Sequence, residues 1–288
     1  MNKEMHEMGG MHEMREMHIV DELIEERATK LKQHPRVWRF VQRYLYPVFG
    51  YQDAINLVDY VQGMSGFEVF EHVSSLLRMN VTVHGLEHLP TSGRAVLMPN
   101  HPAGIADGIA VFDAIRAIRP DMTFFANRDA VRCQQRLDEI IIPVEWMEEK
   151  RNHAKSKETV RNMVRAFKDE RLIVIFASGR LARPSLRGLQ EREWLPSGVS
   201  LAQKYNCPII PLHIRGYNSL LFYLMWMLNT ELKDMTLFRE LLNKTNQKYT
   251  LTLGEPIHSD ADAELLTPAI REFVTGPLTR GITRFQGP

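Results

Sequence analysis

The sequence predicts an α/β fold, a mixed and largely parallel sheet flanked by helices, with an N-terminal helical module. Through about residue 78, apolar residues recur at helical spacing. Beyond residue 80, short apolar runs of strand length alternate with helical segments. This alternation is typical of sheets with helices on both faces. A chain of 288 residues is long enough for one such domain with a helical lead-in.

The pattern divides the chain into three parts. Residues 1–18 form a leader rich in Met and His, for which we expect disorder. Copper binding by those Met and His side chains is the alternative, because both are ligands for soft metals. Residues 19–79 form the helical module, and residues 80–288 form the α/β domain.

One segment of the helical module combines a wide aromatic face with three arginines. The apolar members are Val37, Trp38, Phe40, Val41, Tyr44 and Leu45, and the arginines are Arg36, Arg39 and Arg43. Such a helix suits the surface of an anionic membrane. The structural alternative is a helix that packs on the core and leaves its arginines in solvent.

The α/β domain begins with a short strand at 81–83 and a buried strand at 95–98. The predicted elements that follow are a helix near 109–118, strands at 122–126 and 140–144, a helix near 156–168, a strand at 172–176, a helix near 198–204 and a strand at 208–214. The strand at 95–98 delivers Asn100 and His101 at its carboxyl end. Ligands of parallel sheets bind outside the carboxyl ends of strands, so a site is expected there.

Composition excludes several classes of partner and compartment. Lys and Arg total 36 against 35 for Asp and Glu, which gives no reason to expect nucleic acid as a partner. The two cysteines, Cys133 and Cys207, form no C-x-x-C pair and no secretory leader is evident, which favours a reducing cytoplasmic compartment. The longest apolar run, 220–228, is about half the roughly 18 residues that a membrane span needs. This run is expected to pack in the core, to line an acyl pocket or to dip into a membrane interface.

The stretch NHPAGIADG, residues 100–108, carries the most specific chemistry. Pro102 holds the preceding His101 in an extended conformation at the strand end. Asp107, at the mouth of the next helix, is placed to accept a hydrogen bond from the imidazole and fix its tautomer. This arrangement predicts a general base with an orienting carboxylate. The structural alternative is an Asp that caps a helix and a His that satisfies a buried carbonyl.

Four blocks of the sequence, in order, resemble the glycerolipid acyltransferase superfamily, the lysophospholipid acyltransferase-like enzymes. The first is VHGLEHLP followed by the strand that leads to Asn100 and His101, and its hallmark is Asn-His, four residues and Asp. FFANR at 124–128, VIFASGR at 174–180 and CPIIPL at 207–212 are similar to the next three blocks. The segment LGEPI at 253–257 resembles a strand end common in these enzymes, so the resemblance spans about residues 81–257.

The resemblance implies phospholipid biosynthesis by direct acyl transfer. His101, oriented by Asp107, would deprotonate an acceptor hydroxyl or amine, which attacks the thioester of acyl-CoA or of an acyl carrier protein. No bound cofactor, no metal and no covalent acyl-enzyme are expected. Further contacts with substrate are expected from Asn100, Gly104, Arg128, Ser178, Gly179 and Arg180, with Arg183 and Arg187 adding a basic loop. A peripheral position on the cytoplasmic face of the membrane is expected.

Two departures from the family pattern bear on this expectation. Five residues, rather than four, separate His101 from Asp107. Ser178 stands where the third block usually has glutamate, which leaves the acceptor open. An N-acyltransferase that makes an amino-acid lipid, and a non-catalytic lipid-binding protein of the same fold, are the alternatives.

Overall fold

Strand β2 (Ala95–Pro99) is the centre of a seven-stranded sheet. The fold is described from a computed structural model, which covers residues 17–145, 152–185 and 188–287. The other strands are β1 (Asn80–His84), β3 (Thr123–Asn127), β4 (Ile141–Val144), β5 (Leu172–Val174), β6 (Arg183–Ser185), β7 (Gly188–Gln190), β8 (Ile209–Arg215) and β9 (Lys248–Leu253). Most of the Met/His leader, and its predicted disorder or copper binding, lies outside these residues.

The strand order in the large sheet is β1-β9-β8-β2-β5-β3-β4. Every neighbouring pair is parallel except β8 and β9, which are antiparallel. The predicted mixed, largely parallel sheet is therefore confirmed. Because β8, β2, β5 and β3 run in one direction, their carboxyl ends lie along one edge of the sheet, and His101 follows β2 at that edge. Strands β6 and β7 form a separate antiparallel hairpin.

Helices cover both faces of the sheet and build the N-terminal module. They are α1 (Ile19–Arg27), α2 (Thr29–Lys32), α3 (Pro35–Phe40), α4 (Tyr46–Val48), α5 (Tyr51–Tyr60), α6 (Gly66–Leu77), α7 (Ile105–Ile115), α8 (Asp129–Cys133), α9 (His153–Lys168), α10 (Ser197–Lys204), α11 (Leu220–Leu228), α12 (Thr230–Met235), α13 (Leu237–Leu242) and α14 (Ala263–Thr275). A π-helical turn, Val41–Leu45, joins α3 to α4, and 3₁₀ turns occur at Leu86–His88, Gln135–Glu139 and Pro277–Arg280.

The buried strands contribute side chains to two cores, one on each face of the sheet. In β2, Ala95 and Leu97 join the core that includes α6 and α7, whereas Val96 and Met98 join the core that includes α10 and α14. Successive side chains of a strand point to opposite faces, so a strand covered on both sides must be apolar throughout. This explains why β2 reads in the sequence as one continuous apolar run.

A third core joins the N-terminal helices to the segment between β8 and β9. It combines Val20, Val41 and Tyr46 with Met225 of α11 and Met235 of α12. Ion pairs attach the same helices to the α/β domain. Arg132 of α8 pairs with Glu22 at 3.1 Å and with Glu26 at 2.7 Å, and Arg27 pairs with Asp129. Among the described residues, no helix is both long and apolar enough to cross a bilayer.

Two helices begin earlier than the periodicity predicts, because polar side chains cap them. Helix α7 begins at Ile105 rather than near 109, and Asp107 in its first turn accepts from the backbone N–H of Gly104. Helix α9 begins at His153 rather than near 156, after Asn152 accepts from the N–H of Lys155. Capping oxygens satisfy N–H groups that lack partners within the helix, and they extend each helix upstream of the residues that show the apolar period.

The buried Arg119, just after α7, holds three loops together and gives a stability prediction. Its side chain is 1% exposed, donates to the carbonyls of Pro90 (2.9 Å) and Gly93 (2.8 Å), and pairs with Asp121 at 2.6 Å. We expect Arg119→Ala to lower the free energy of unfolding by about 3 kcal/mol, because it leaves a carboxylate and two carbonyls without their donor. Urea unfolding provides the measurement. The control is Arg94→Ala, which removes a solvent-exposed pair with Glu170 and should cost less than about 1 kcal/mol; equal losses would contradict the prediction.

Candidate active site

The turn between β2 and α7 carries the predicted pair of His101 and Asp107. The chain leaves the strand at Pro99 and enters the helix at Ile105. Gly104 has a φ of +89°, a conformation that residues with a side chain rarely adopt. A Cβ at this position would also meet the Leu181 side chain at 3.2 Å. Glycine therefore allows the chain to turn at the residue immediately before α7.

The carboxylate of Asp107 organises this turn. Its Oδ2 accepts hydrogen bonds from the backbone N–H of Ala103 (2.8 Å) and of Gly104 (2.9 Å). The same oxygen lies 2.9 Å from Nδ1 of His101. Asp107 is fully buried, while the His101 side chain is 19% exposed. Because a carboxylate accepts hydrogen bonds, Nδ1 carries the ring proton, and Nε2 is the nitrogen that remains free to take a proton. The extra residue between His and Asp is thus accommodated by the turn.

Neighbouring segments contact both the ring and the backbone of His101. The ring of Phe176, which follows β5, packs against the His101 ring with centroids 4.2 Å apart. The backbone N–H of Ala182 donates to the carbonyl of His101 at 2.8 Å. The third block of the sequence therefore lies directly beside the first, as expected for strands β5 and β2, which are neighbours in the sheet.

Asn100 ties the end of β2 to β8. Its Nδ2 donates to the carbonyl of Ile214 at 3.0 Å, and its Oδ1 accepts from the N–H of Ile214 at 2.6 Å. The side chain is buried and both polar groups of the amide are used within the fold. Asn100 therefore positions His101 through the backbone, and its predicted contact with substrate stays a prediction.

Glu191 is a partly buried carboxylate at the site that sequence reasoning missed. One oxygen accepts from the backbone N–H of His101 at 3.1 Å, and the other accepts from Nε1 of Trp194 at 3.1 Å. Burial raises the pKa of Glu191, and the bonds from His101, Trp194 and Ser178 offset only part of that rise. In the sequence, Glu191 stands in the charged stretch QERE, which is typical of a solvated surface. The missing acid at Ser178 is the signal that would have prompted a search for a substitute.

Ser178, Gly179 and Arg180 form a tight turn after Phe176. The Oγ of Ser178 donates to the carbonyl of Arg180 at 2.8 Å, and Gly179 has a φ of +58°. Ser178 is also close enough to Glu191 to lower the pKa of that carboxyl. The side chain of Arg180 is exposed and has no hydrogen-bond or ion-pair partner in the part of the chain that the structure describes.

Arg128 lies at the same edge of the sheet but is engaged elsewhere. It follows β3, which is separated from β2 by strand β5. Two inter-strand spacings place β3 about 10 Å from β2. Its Nη1 donates to Glu158 of α9 at 2.7 Å, and its Nε is buried without a partner among the described residues. The predicted contact of Arg128 with an anionic substrate stays a prediction, because a substrate would have to compete with Glu158.

Comparisons with known proteins agree with this arrangement. The acyltransferase family model matches residues 80–215. A lyso-glycine lipid O-acyltransferase from Phocaeicola vulgatus is 24% identical over 246 residues, which cover 83% of this chain and 86% of the relative. A protein of the same description from Bacteroides thetaiotaomicron is 22% identical over 257 residues, covering 87% and 92%.

Among solved structures, the 1-acyl-sn-glycerophosphate (LPA) acyltransferase PlsC from Thermotoga maritima superposes with a TM-score of 0.47 and 15% identity. The superposition covers 75% of this chain and 81% of that one. The family model spans the strands from β1 to β8, including the turn with His101 and Asp107. The chain is therefore an acyltransferase, and it is similar to the glycerolipid acyltransferase superfamily.

Proposed function

We propose that this acyltransferase moves a fatty acyl group from acyl-CoA or an acyl carrier protein to the hydroxyl of a lyso-lipid. The observation that carries the proposal is the contact of 2.9 Å between His101 and the buried Asp107 at the carboxyl end of β2. The relatives are described as O-acyltransferases of a lyso-glycine lipid, which supports a hydroxyl acceptor. A lyso-lipid with an amino-acid head group is accordingly the first acceptor to test, followed by lysophospholipids.

The proposed reaction needs one base that later acts as an acid. Nε2 of His101 takes the proton of the acceptor hydroxyl while its oxygen attacks the thioester carbonyl. The tetrahedral intermediate then expels the thiolate, which receives that proton from the imidazolium and leaves as a thiol. Asp107 stabilises the imidazolium that exists between these two steps. The products are an ester and a free thiol, and the enzyme returns to its starting state.

Peripheral attachment to a membrane is part of the proposal. The segment from α3 to α4 exposes Val37, Phe40, Tyr44 and Val48, next to the exposed Arg36, Arg39 and Arg43. Helix α11 exposes Leu220, Leu224, Met227 and Leu228. Both segments bury their other sides in the third core, so they are packed together through that core. Apolar side chains rimmed by arginines suit an interface of anionic lipid.

The role of His101 is tested by His101→Ala with a panel of acceptors that carry a hydroxyl or an amine. Loss of the base should lower kcat by about 10²-fold or more for the acceptor that is used. His258→Ala, which changes an exposed histidine, is the matched control and should leave kcat unchanged. Full activity in His101→Ala would refute the assignment of the base, and transfer only to amines would replace the O-acyl proposal by an N-acyl one.

Glu191 gives a prediction for the pH dependence of stability. Since burial raises its pKa above that of the unfolded chain, Glu191 contributes stability at low pH that is lost as pH rises through the folded-state pKa. Glu191→Gln removes this loss. The free energy of unfolding of the variant minus that of wild type should therefore increase between pH 4 and pH 8. The increase should begin near the usual glutamate pKa of about 4.3. Denaturant unfolding across this range is the measurement. Glu193→Gln, at an exposed position, should show no such trend.

Membrane attachment is tested by replacing Leu224 and Met227 together with glutamate. The pair loses apolar contact and gains charge, so binding to anionic vesicles in a sedimentation assay should weaken by at least about tenfold. Leu265→Glu alters an equally exposed leucine on α14 and should bind as the wild type does. Unchanged binding of the double variant would place the membrane contact elsewhere.

A further inference from the structure

Residues that follow β5 hold both backbone groups of His101. Strand β2 ends at Pro99, so the N–H of His101 lies beyond the strand. This N–H donates to Oε2 of Glu191 at 3.1 Å. The carbonyl of His101 accepts from the N–H of Ala182 at 2.8 Å. The peptide groups on either side of the proposed base are therefore held by contacts from another part of the chain.

Glu191 is itself connected to the core. Its Oε1 accepts from Nε1 of Trp194 at 3.1 Å. Trp194 is only 7% exposed and belongs to the same core as Met98 of β2. The next residue, Leu195, donates its N–H to the carbonyl of Ala177 at 2.9 Å. Because both oxygens of Glu191 are engaged, its side chain is held in one orientation, as is required of a residue that supports a reactive group.

The two donors around Glu191 explain why a carboxylate stands at this position. The backbone N–H of His101 and the indole N–H of Trp194 can only donate, and a carboxylate has two oxygens that can both accept. A carboxamide would accept from one of these donors and would place its own NH₂ group against the other. A hydrogen bond to an ionised acceptor is also stronger than one to a neutral acceptor. Glutamate is therefore the better match for this position than glutamine.

The position of the reactive nitrogen depends on the backbone of His101 as well as on its ring. Asp107 fixes the ring through Nδ1 at 2.9 Å, and Phe176 packs against the ring. Neither contact fixes the peptide group that precedes His101. A rotation of that peptide would move the Cα of His101 and, with it, Nε2 at the far end of the ring. A misplacement of about 1 Å can lower the rate by about 10²-fold.

We propose that Glu191 is a positioning residue for acyl transfer, which fixes the backbone of His101 and touches neither substrate. This inference rests on the proposed function, because it assigns the effect of Glu191 to His101 as the base. An acid that binds the acceptor would act on KM when it is removed. A residue that acts only through the base should act on kcat and leave KM unchanged.

Steady-state kinetics of Glu191→Ala with palmitoyl-CoA and N-(hydroxypalmitoyl)glycine test this proposal. The variant should lose about 10- to 100-fold in kcat, while KM for both substrates stays within about twofold. The matched control is Glu193→Ala, which changes an exposed glutamate two residues away and should leave both constants unchanged. An unchanged kcat, or a raised KM with kcat unchanged, would overturn the positioning role.

A second set of variants separates the hydrogen bond from a general loss of structure. Glu191→Gln should lower kcat by about tenfold, because its amide can accept from only one of the two donors. Trp194→Phe removes the indole donor. In that background Glu191→Gln should cost about twofold or less in kcat, since the amide oxygen can then face the N–H of His101. Losses that combine as independent effects would contradict the proposal.

Amide hydrogen exchange, followed by NMR, measures the contact of Glu191 with His101 in the absence of substrate. In Glu191→Ala, the N–H of His101 should exchange at least about tenfold faster than in wild type, relative to the N–H of Ala103, which donates to Asp107. Loss of one acceptor affects the first amide, whereas a general loss of stability would accelerate both. Equal acceleration of both amides, or none, would refute the contact. If wild type transfers to no acceptor, the proposed function fails, and this experiment still decides whether Glu191 holds His101.

Discussion

The three hydrogen bonds to Oδ2 of Asp107 are the interaction on which the candidate site depends. A buried carboxylate costs several kcal/mol unless donors surround it. Here two backbone N–H groups and the imidazole supply three donors to Oδ2, while Oδ1 is buried without a partner among the described residues. Asp107 stands in the first turn of α7, where the helix dipole also favours negative charge. The same contacts begin the helix, close the turn and orient His101, so the geometry of the base cannot change without changing the fold around it.

Two further tethers fix the backbone of this turn from opposite sides. Asn100 joins it to β8, and Glu191 reaches it from the segment after the β6–β7 hairpin. Glu191 also lies close to Ser178, which stands where the family's third block usually has glutamate. A carboxylate is therefore present at this position after all, but it comes from a different part of the chain. Because this carboxylate comes from Glu191 and not from the third block, the motif looks incomplete in the sequence although the turn has its hydrogen-bond partner.

The parts of the site that sequence could predict are those determined by local chemistry. The apolar run of β2 and the proline and glycines of the turn are sufficient to place His101 and Asp107 at a strand end. The environments of Glu191 and Asn218 were not predictable, because they depend on tertiary contacts. Glu191 lies 90 residues from the N–H that it accepts from, and its neighbours are charged. Asn218 lies in an ordinary loop, and only the fold shows that its amide is buried without partners among the described residues.

The segment between β8 and β9 combines the exposed apolar side of α11 with a buried ion pair that holds the start of this helix. Helix α11 begins at Leu220, which is 88% exposed. The buried pair of Lys244 and Glu240 holds the start of α11 through Ser219. A buried ion pair is by itself weak evidence for stability, so the pair is better explained by the positioning of the loop before α11 than by stability alone.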